Sequence, residues 1–425
     1  LIPIDPPVTG GFKMMMAIQR KGESSMKELA HTQSKTYLFI FIVIMGCLSA
    51  FGPLTIDMYL PGLPTLASDL GTNASTAQLS LTACLIGLAA GQLIVGPYSD
   101  MVGRKKPLIV ALILFTISSV LCMFTGSIWG LIVLRFIQGL TGAAGMVISR
   151  AGMRDRFSGQ ELTKYFAMLM LVNGLAPIAA PVAGGQLLQF MSWRGIFGVL
   201  ALIGGIMLLA VCFGLSETLP KERRKTGGIS SVFNTFGRLI RNRVFMGYVL
   251  VQGFAMSAMF AYISGSTFVL QDIYGLSPQM FSLIFALNGL GLIIATQATG
   301  KLAPVFGETS LLRYGILQGL SASVLLIVSI SLEASVVFIC IFLFLTVSTV
   351  GIVNTTVFSL AMSDQGDNAG SAAALLGLLP FILGGAAAPL VGLGDGASAV
   401  PMAVVIAICE AVAVVSYFIM VRKKG

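Results

Sequence analysis

Residues 54–64 read Leu54-Thr-Ile-Asp57-Met-Tyr-Leu-Pro61-Gly-Leu-Pro64 and close an apolar run that opens at Tyr37. A helix needs about 20 apolar residues to cross the hydrocarbon of a bilayer, and this run supplies them. Inside it stands one carboxylate, Asp57. Placing a charge in a membrane span costs about 3 kcal/mol. Asp57 therefore needs a partner, a wet cavity or a proton. The other strong candidates for charge inside an apolar run are Arg135 and Glu410.

The remainder of the chain has the same character. Its 425 residues are 56% hydrophobic and 10% charged, where soluble domains carry about 25% charged residues. No soluble fold buries so much apolar surface, so the solvent is lipid. Forty-nine glycines suit helices that pack closely in a membrane. The net charge of +9 could suggest nucleic acid. The basic residues, however, fall in short loops and form no stripe with interleaved aromatics, which excludes that reading. The six cysteines lie inside apolar runs without metal-ligand spacing, and the one histidine, His31, is in the polar N-terminal stretch. A metal site, a cofactor and a catalytic constellation are not expected, and neither is an enzyme. No phosphate-binding loop is present, so ATP is not the expected energy source.

Hydropathy predicts an all-α polytopic protein with twelve spans: 37–60, 74–98, 106–125, 128–150, 162–189, 195–216, 244–270, 279–302, 311–330, 334–357, 370–393 and 398–421. Residues 1–36 are expected to be a disordered tail, and span 1 an uncleaved anchor rather than a signal peptide. One set of loops and ends holds Arg104, Lys105, Lys106, Arg154, Arg156, seven basic residues from Lys221 to Arg243, Lys301, Arg313 and the tail Arg422-Lys423-Lys424 (422–425). The other set holds Arg194. The bias places both termini in the cytoplasm. The longest internal loop, 217–243, separates six spans (37–216) from six (244–421). Its residues Ile229, Val232, Phe233, Phe236, Leu239 and Ile240 form a helical apolar stripe. That stripe fits an amphipathic helix on the inner leaflet, with a plain linker as the alternative.

The halves echo each other. Gly96 and Gly103 follow span 2, and Gly300 and Gly307 follow span 8. Ala180-Pro181-Val-Ala-Gly184 in span 5 matches Ala388-Pro389-Leu-Val-Gly392 in span 11. Duplicated halves around a midplane site are a mark of secondary transporters.

Three motifs carry the chemistry. Gly96-Pro-Tyr-Ser-Asp100-Met-Val-Gly103-Arg104-Lys105 places a carboxylate and cations at a tight turn. Leu134-Arg135-Phe-Ile-Gln138-Gly139 sets a cation inside span 4. At ~1.5 Å per residue, Arg135 lies roughly 9 Å past Trp129 and Asp57 roughly 6 Å before Pro61, which predicts similar depths and a possible pair. Separate satisfaction of the two charges, by carbonyls and hydroxyls, is the alternative. Ala176-Pro177-Ile-Ala-Ala-Pro181-Val-Ala-Gly184-Gly185 predicts a bent span 5 with room for close packing.

These stretches resemble the loop signature, the arginine motif and the antiporter signature of the major facilitator superfamily (MFS). They depart from it at Met101 and Ala180. The Asp57-Met-Tyr-Leu-Pro61 end of span 1, the helix 5 form and Tyr262-Ile-Ser-Gly-Ser-Thr-Phe268 with Asn288 sharpen the resemblance to its bicyclomycin/chloramphenicol resistance (Bcr/CflA) drug:H⁺ antiporters. The resemblance covers about 37–421 and implies a two-halved bundle in the bacterial inner membrane, acting as a monomer on small molecules and protons. It implies a proton-coupling role for Asp57 and Arg135. Gly96, Asp100, Gly103, Arg104 and Asp155 become a cytoplasmic latch in which Asp155 pairs with Arg104 and Asp100 caps helix 11 near Asn368. Pro177, Pro181, Gly184 and Gly185 become a hinge. Some related exporters carry a second acid where this chain has Ser49, which argues against a two-carboxylate mechanism. The polar candidates for a substrate cavity are Gln92, Gln138, Asn173, Gln252, Tyr262, Ser264, Asn288 and Asn354. Glu410 in span 12 matches nothing in the family. It is expected to be a structural carboxylate, bonded within the C-terminal half or kept protonated, or else a second proton site. Export of a sugar or other metabolite on the same fold, and a non-transporting sensor or channel, remain as other readings of the chain.

Overall fold

The computed structural model describes residues 37–224, 230–363, 365, 369–393 and 398–421. Twelve helices there are long and apolar enough to cross a membrane. They are α1 (Tyr37–Asp69), α2 (Ala74–Val102), α3 (Lys105–Phe124), α4 (Ile128–Arg156), α5 (Gly159–Leu187), α6 (Trp193–Gly214), α7 (Arg243–Ile273), α8 (Pro278–Phe306), α9 (Glu308–Ser331), α10 (Val336–Met362), α11 (Ser371–Gly392) and α12 (Val400–Val421). The expected disorder of residues 1–36, the basic tail 422–425 and Asn368 lie outside the described residues.

Local signals fix the helix ends. Asn73, Asn242 and Ser277 each accept a backbone N–H from the first turn of α2, α7 and α8, which satisfies one of the donors left free at a helix start. Gly103 (φ +101°) and Gly307 (φ +77°) end α2 and α8 in backbone that side-chain-bearing residues rarely adopt. The echo between the two loops is thus an echo of conformation.

Helix α1 continues past the predicted end at residue 60 because it breaks and restarts. The α-helix stops at Asp57, a 3-10 turn covers Leu60–Gly62, and a second α-segment runs Leu63–Asp69. Pro61 lacks an N–H, so the ladder cannot run through it unchanged.

Apolar packing divides the bundle by level. We call the end carrying Tyr37 and Val421 the near end and the opposite one the far end. From the middle to the far end one cluster draws on α1, α2, α4, α6, α7, α8, α10 and α12 together. Toward the near end there are two clusters. One is built from Phe41, Met45, Leu48, Leu112, Ile148 and neighbours, all before residue 216. The other has buried residues Phe236, Val249, Leu312, Val357, Tyr417 and others, all after residue 235, with Leu93 of α2 packed against it from the first half. The two groups of six helices share one buried core at the far end and have a buried cluster each at the near end.

The linker helix spans Ser230–Arg241. Its Phe236 and Leu239 are buried in the near-end cluster of the later helices, while Ile240 stays exposed. Its apolar stripe therefore docks partly on protein, where lipid contact was expected.

Candidate functional site

Asp57 sits at the last α-helical turn before the break in α1, is 4% exposed, and its Oδ1 has no hydrogen-bond partner. Arg135 on α4 is fully buried. Its Nη1 donates to Gln138 Oε1 at 2.5 Å, and Gln138 Nε2 donates to Ser119 Oγ at 2.7 Å. The guanidinium carbon lies 4.2 Å from the ring centre of Tyr59 and 5.7 Å from that of Phe197. No ion pair within 4.0 Å joins Asp57 to Arg135 among the described residues, so the direct pair that similar depth suggested is not formed in this conformation. The α1 side chain laid over Arg135 is Tyr59, two residues on and past the end of the α-helical segment at Asp57. Nε and Nη2 of Arg135 also lack partners. Arg135 is held by Gln138 and by the rings of Tyr59 and Phe197, while Asp57 Oδ1 has no partner among the described residues.

Helix α5 meets its neighbours through its glycines. A Cβ on Gly184 would overlap the carbonyl oxygen of Met58, and one on Gly185 would overlap the hydroxyl of Ser282 on α8. Pro177 and Pro181 lie inside an otherwise continuous helix. Only glycine permits both contacts, so the pair fits α5 between α1 and α8 directly beside Asp57.

The polar cavity candidates divide into five groups. Gln138 is buried among the first six helices as a partner of Arg135. Tyr262 and Asn288 form one unit, Asn288 Nδ2 donating to Tyr262 Oη at 2.8 Å, with Tyr262 stacked on Phe285 at 5.5 Å. Ser264 is fully buried at the far-end closure, donating to Ala388 O at 3.3 Å. Asn173 donates to Leu169 O at 3.3 Å within α5. Gln92, Gln252 and Asn354 differ from these in that each keeps one buried amide atom without a partner. They lie 10, 9 and 8 residues from the near ends of α2 (Val102), α7 (Arg243) and α10 (Met362), a common level roughly 12–15 Å deep. On three helices at one depth, Gln92 Nε2 can donate to, and Gln252 Oε1 and Asn354 Oδ1 can accept from, a bound solute or water.

At the near end the α2–α3 turn forms a charged cluster. Arg104 pairs with Asp100 (2.6 Å) and Asp155 (2.8 Å) and donates to Ser99 Oγ (2.7 Å). The expected Asp155–Arg104 contact is present. Glu217, just past α6, accepts the backbone N–H groups of Arg104 (2.7 Å) and Lys105 (3.2 Å) at the start of α3. A Cβ on Gly103 would stand 2.5 Å from Glu217 Oε2, so glycine is needed here for space as well as for φ. Burial opposes ionisation of Glu217, but the N–H donors of Arg104, Leu219 and Lys105 outweigh it and hold the carboxyl below the usual Glu range. Burial likewise opposes the charge of Arg104, and Asp155 and Asp100 outweigh it in turn. Sequence reading missed the role of Glu217, because its partners lie 113 and 112 residues away.

Glu410 on α12 is fully buried, and neither carboxyl oxygen has a hydrogen-bond partner. It fills the space left by Gly319 on α9, where a Cβ would overlap it. The hydrogen bonding expected for it inside the C-terminal half is not formed.

The profile described as Major Facilitator Superfamily matches residues 38–389. The chain is therefore a member of that superfamily, a class of membrane transporters for small molecules. It is 44% identical over 383 residues to an uncharacterized MFS-type transporter, YdgK, of Bacillus subtilis, covering 90% of this chain and 95% of the relative. It is 29% identical to a bicyclomycin resistance protein homolog of Haemophilus influenzae (91% and 97% covered) and 27% identical to a chloramphenicol resistance protein of Pseudomonas aeruginosa (68% and 68%). These relatives bear out the resemblance to the drug-resistance exporters. In fold the chain matches the nucleoside transporter NupG (TM-score 0.71, 12% identity, 90% and 98% covered) and the xylose transporter XylE of E. coli (TM-score 0.70, 14% identity, 92% and 98% covered).

Proposed function

We propose that this chain is a proton-coupled antiporter that exports small amphipathic compounds, antibiotics among them, from the bacterial cytoplasm by alternating access. The observation that carries the reading is Asp57. It is a buried carboxyl with an unpartnered oxygen, set at the break in α1 beside the Gly184–Gly185 contact, in a chain whose relatives include drug-resistance proteins. The near end is the cytoplasmic one, by the bias of Lys and Arg. With a buried cluster for each half at that end and a shared core at the other, the conformation described is inward-facing. A proton reaching Asp57 from outside stabilises this state, because a neutral acid is the cheaper occupant of a closed, dry site. Cargo then binds among Gln92, Gln252 and Asn354 and near Tyr262 and Asn288. Proton release to the cytoplasm restores the carboxylate and favours reopening outward. The described partners of the Arg104 guanidinium are Ser99, Asp100 and Asp155; in the outward-facing state the Arg104 cluster engages the second half as a latch.

The test is export of a panel of uncharged and cationic antibiotics from a pump-deficient strain, with and without a proton uncoupler. Uncoupler-sensitive protection against at least one drug is expected. Uncoupler-insensitive flux of a sugar, or non-saturating electrogenic current, would favour the sugar-exporter or channel reading.

A further inference from the structure

Among the described residues three hydrogen bonds join the two halves at the far end, and they share one chemistry. Gln78 Nε2 on α2 donates to Ser264 O on α7 at 3.2 Å. Gln271 Nε2 at the end of α7 donates to Pro61 O in the α1 break at 3.2 Å. Gln279 Nε2 at the start of α8 donates to Gly185 O on α5 at 3.0 Å. Each is a glutamine amide reaching across to a backbone carbonyl. Among the described residues no ion pair joins the halves, since the three that are formed all lie in the first half.

The acceptors belong to the three stretches that set this chain apart in sequence: Asp57-Met-Tyr-Leu-Pro61, the Gly184–Gly185 pair and Tyr262-Ile-Ser264. Two of these carbonyls lie where the helical ladder is interrupted, and the third, that of Ser264, takes the glutamine in addition to its place in the α7 helix. Pro61 lies in the 3-10 turn of the α1 break. Gly185 belongs to the last turn of α5, where carbonyls lose their intrahelical partners. Ser264 lies in the last turns of the α-helical part of α7, which passes into a π-turn at Val269–Ile273. The space is tight around these bonds. A Cβ on Gly392 of α11 would stand 2.6 Å from Gln78 Oε1, and Gly185 has no room for a Cβ at all.

We infer that Gln78, Gln271 and Gln279 form the outer gate, an uncharged clasp that holds the far end shut by gripping these three carbonyls. The gate must release for the outward-facing state to form, so this inference rests on the alternating-access reading above. A side chain that can grip a carbonyl and let go without exposing a buried charge suits a gate that opens in every cycle. The carbonyl of Pro61 lies four residues from Asp57, one helical turn on, so a change in the charge of Asp57 acts on the segment that Gln271 holds.

The measurement is a pair of spin labels across the far end, at Phe190→Cys and Leu332→Cys, which are 82% and 74% exposed, in a background whose six native cysteines are replaced. The wild-type distance distribution is expected to be mainly short. Gln78→Met, Gln271→Met and Gln279→Met keep side-chain length and remove the donor. Each is expected to raise the ratio of long to short distances about two- to tenfold, as loss of one net hydrogen bond allows, and the triple variant more. Gln318→Met is the control. Gln318 makes the same kind of bond, to Leu345 O at 3.2 Å, but inside the second half, and its loss should leave the distribution unchanged. Gln→Ala at the same sites serves where a Met variant does not fold. An unchanged distribution in the triple variant, or an equal shift from Gln318→Met, overturns the gate. The readout needs no cargo and no gradient. A shift without coupled drug transport would therefore sink the proposed function and keep the gate, and intact coupled transport without a shift would do the reverse.

Discussion

The two charges that stood out in the apolar runs, Asp57 and Arg135, are both buried, and both keep unpartnered atoms. What the sequence could not show is that Tyr59 stands between their roles. The stacking of Arg135 on Tyr59 (4.2 Å) is long-range in the chain and depends on the break in α1. A double-mutant cycle separates the two partnerships. Tyr59→Leu with Arg135→Gln should show a coupling energy of about 0.5–2 kcal/mol, the range of cation–π contacts. Asp57→Asn with Arg135→Gln should be additive within about 0.5 kcal/mol, as for groups without a shared contact. Thermal unfolding in detergent reads both. Strong non-additivity in the second cycle would put the pair back in contact. Glu410 invites a simpler comparison. With both oxygens unbonded and packed on Gly319, its carboxyl fills space, and Glu410→Gln should leave drug:proton coupling unchanged. Loss of coupling in that variant would make it a second proton site.

At the scale of elements, the spans were legible because lipid imposes one long apolar run per helix. The turn between α2 and α3 was legible as charge and glycine. Its anchor was not, because nothing in a single acid after α6 marks it as the acceptor for the first amides of α3. The sign of its pH dependence is fixed by its lowered pKa. A carboxyl held below its unfolded value contributes above the unfolded range and loses that contribution as pH falls through the folded value. Amide exchange at Arg104 and Lys105 should therefore be slow at neutral pH and speed up only below the ordinary Glu range. In Glu217→Gln it should be fast at neutral pH as well. Equal protection in both proteins at neutral pH would show that the carboxylate is not the anchor. The α5 glycines are argued the same way. Gly184→Ala forces a methyl onto Met58 O and should cost about 1–3 kcal/mol by overpacking, whereas Gly205→Ala, which has open space around it, should cost little. Thermal unfolding compares the two, and equal losses would refute a tight α1–α5 contact.

For the molecule as a whole, composition and loop charge were enough to expect twelve spans in two groups. They could not reveal which end is shut, since that depends on contacts between residues some 90 to 210 positions apart, such as Gln279 with Gly185 and Gln271 with Pro61. The shared far-end core and the two near-end clusters make Asp57 the one acidic side chain on α1 that is both buried and beside the closure. The most direct measurement is drug movement in proteoliposomes holding wild type or Asp57→Asn, read once as accumulation driven by a pH gradient and once as gradient-free exchange of labelled for unlabelled drug. Wild type should do both. Asp57→Asn should keep exchange and lose gradient-driven accumulation, because the cavity survives while the proton site does not. Accumulation by the Asn variant with the same dependence on the gradient would contradict the account and remove Asp57 from the coupling step.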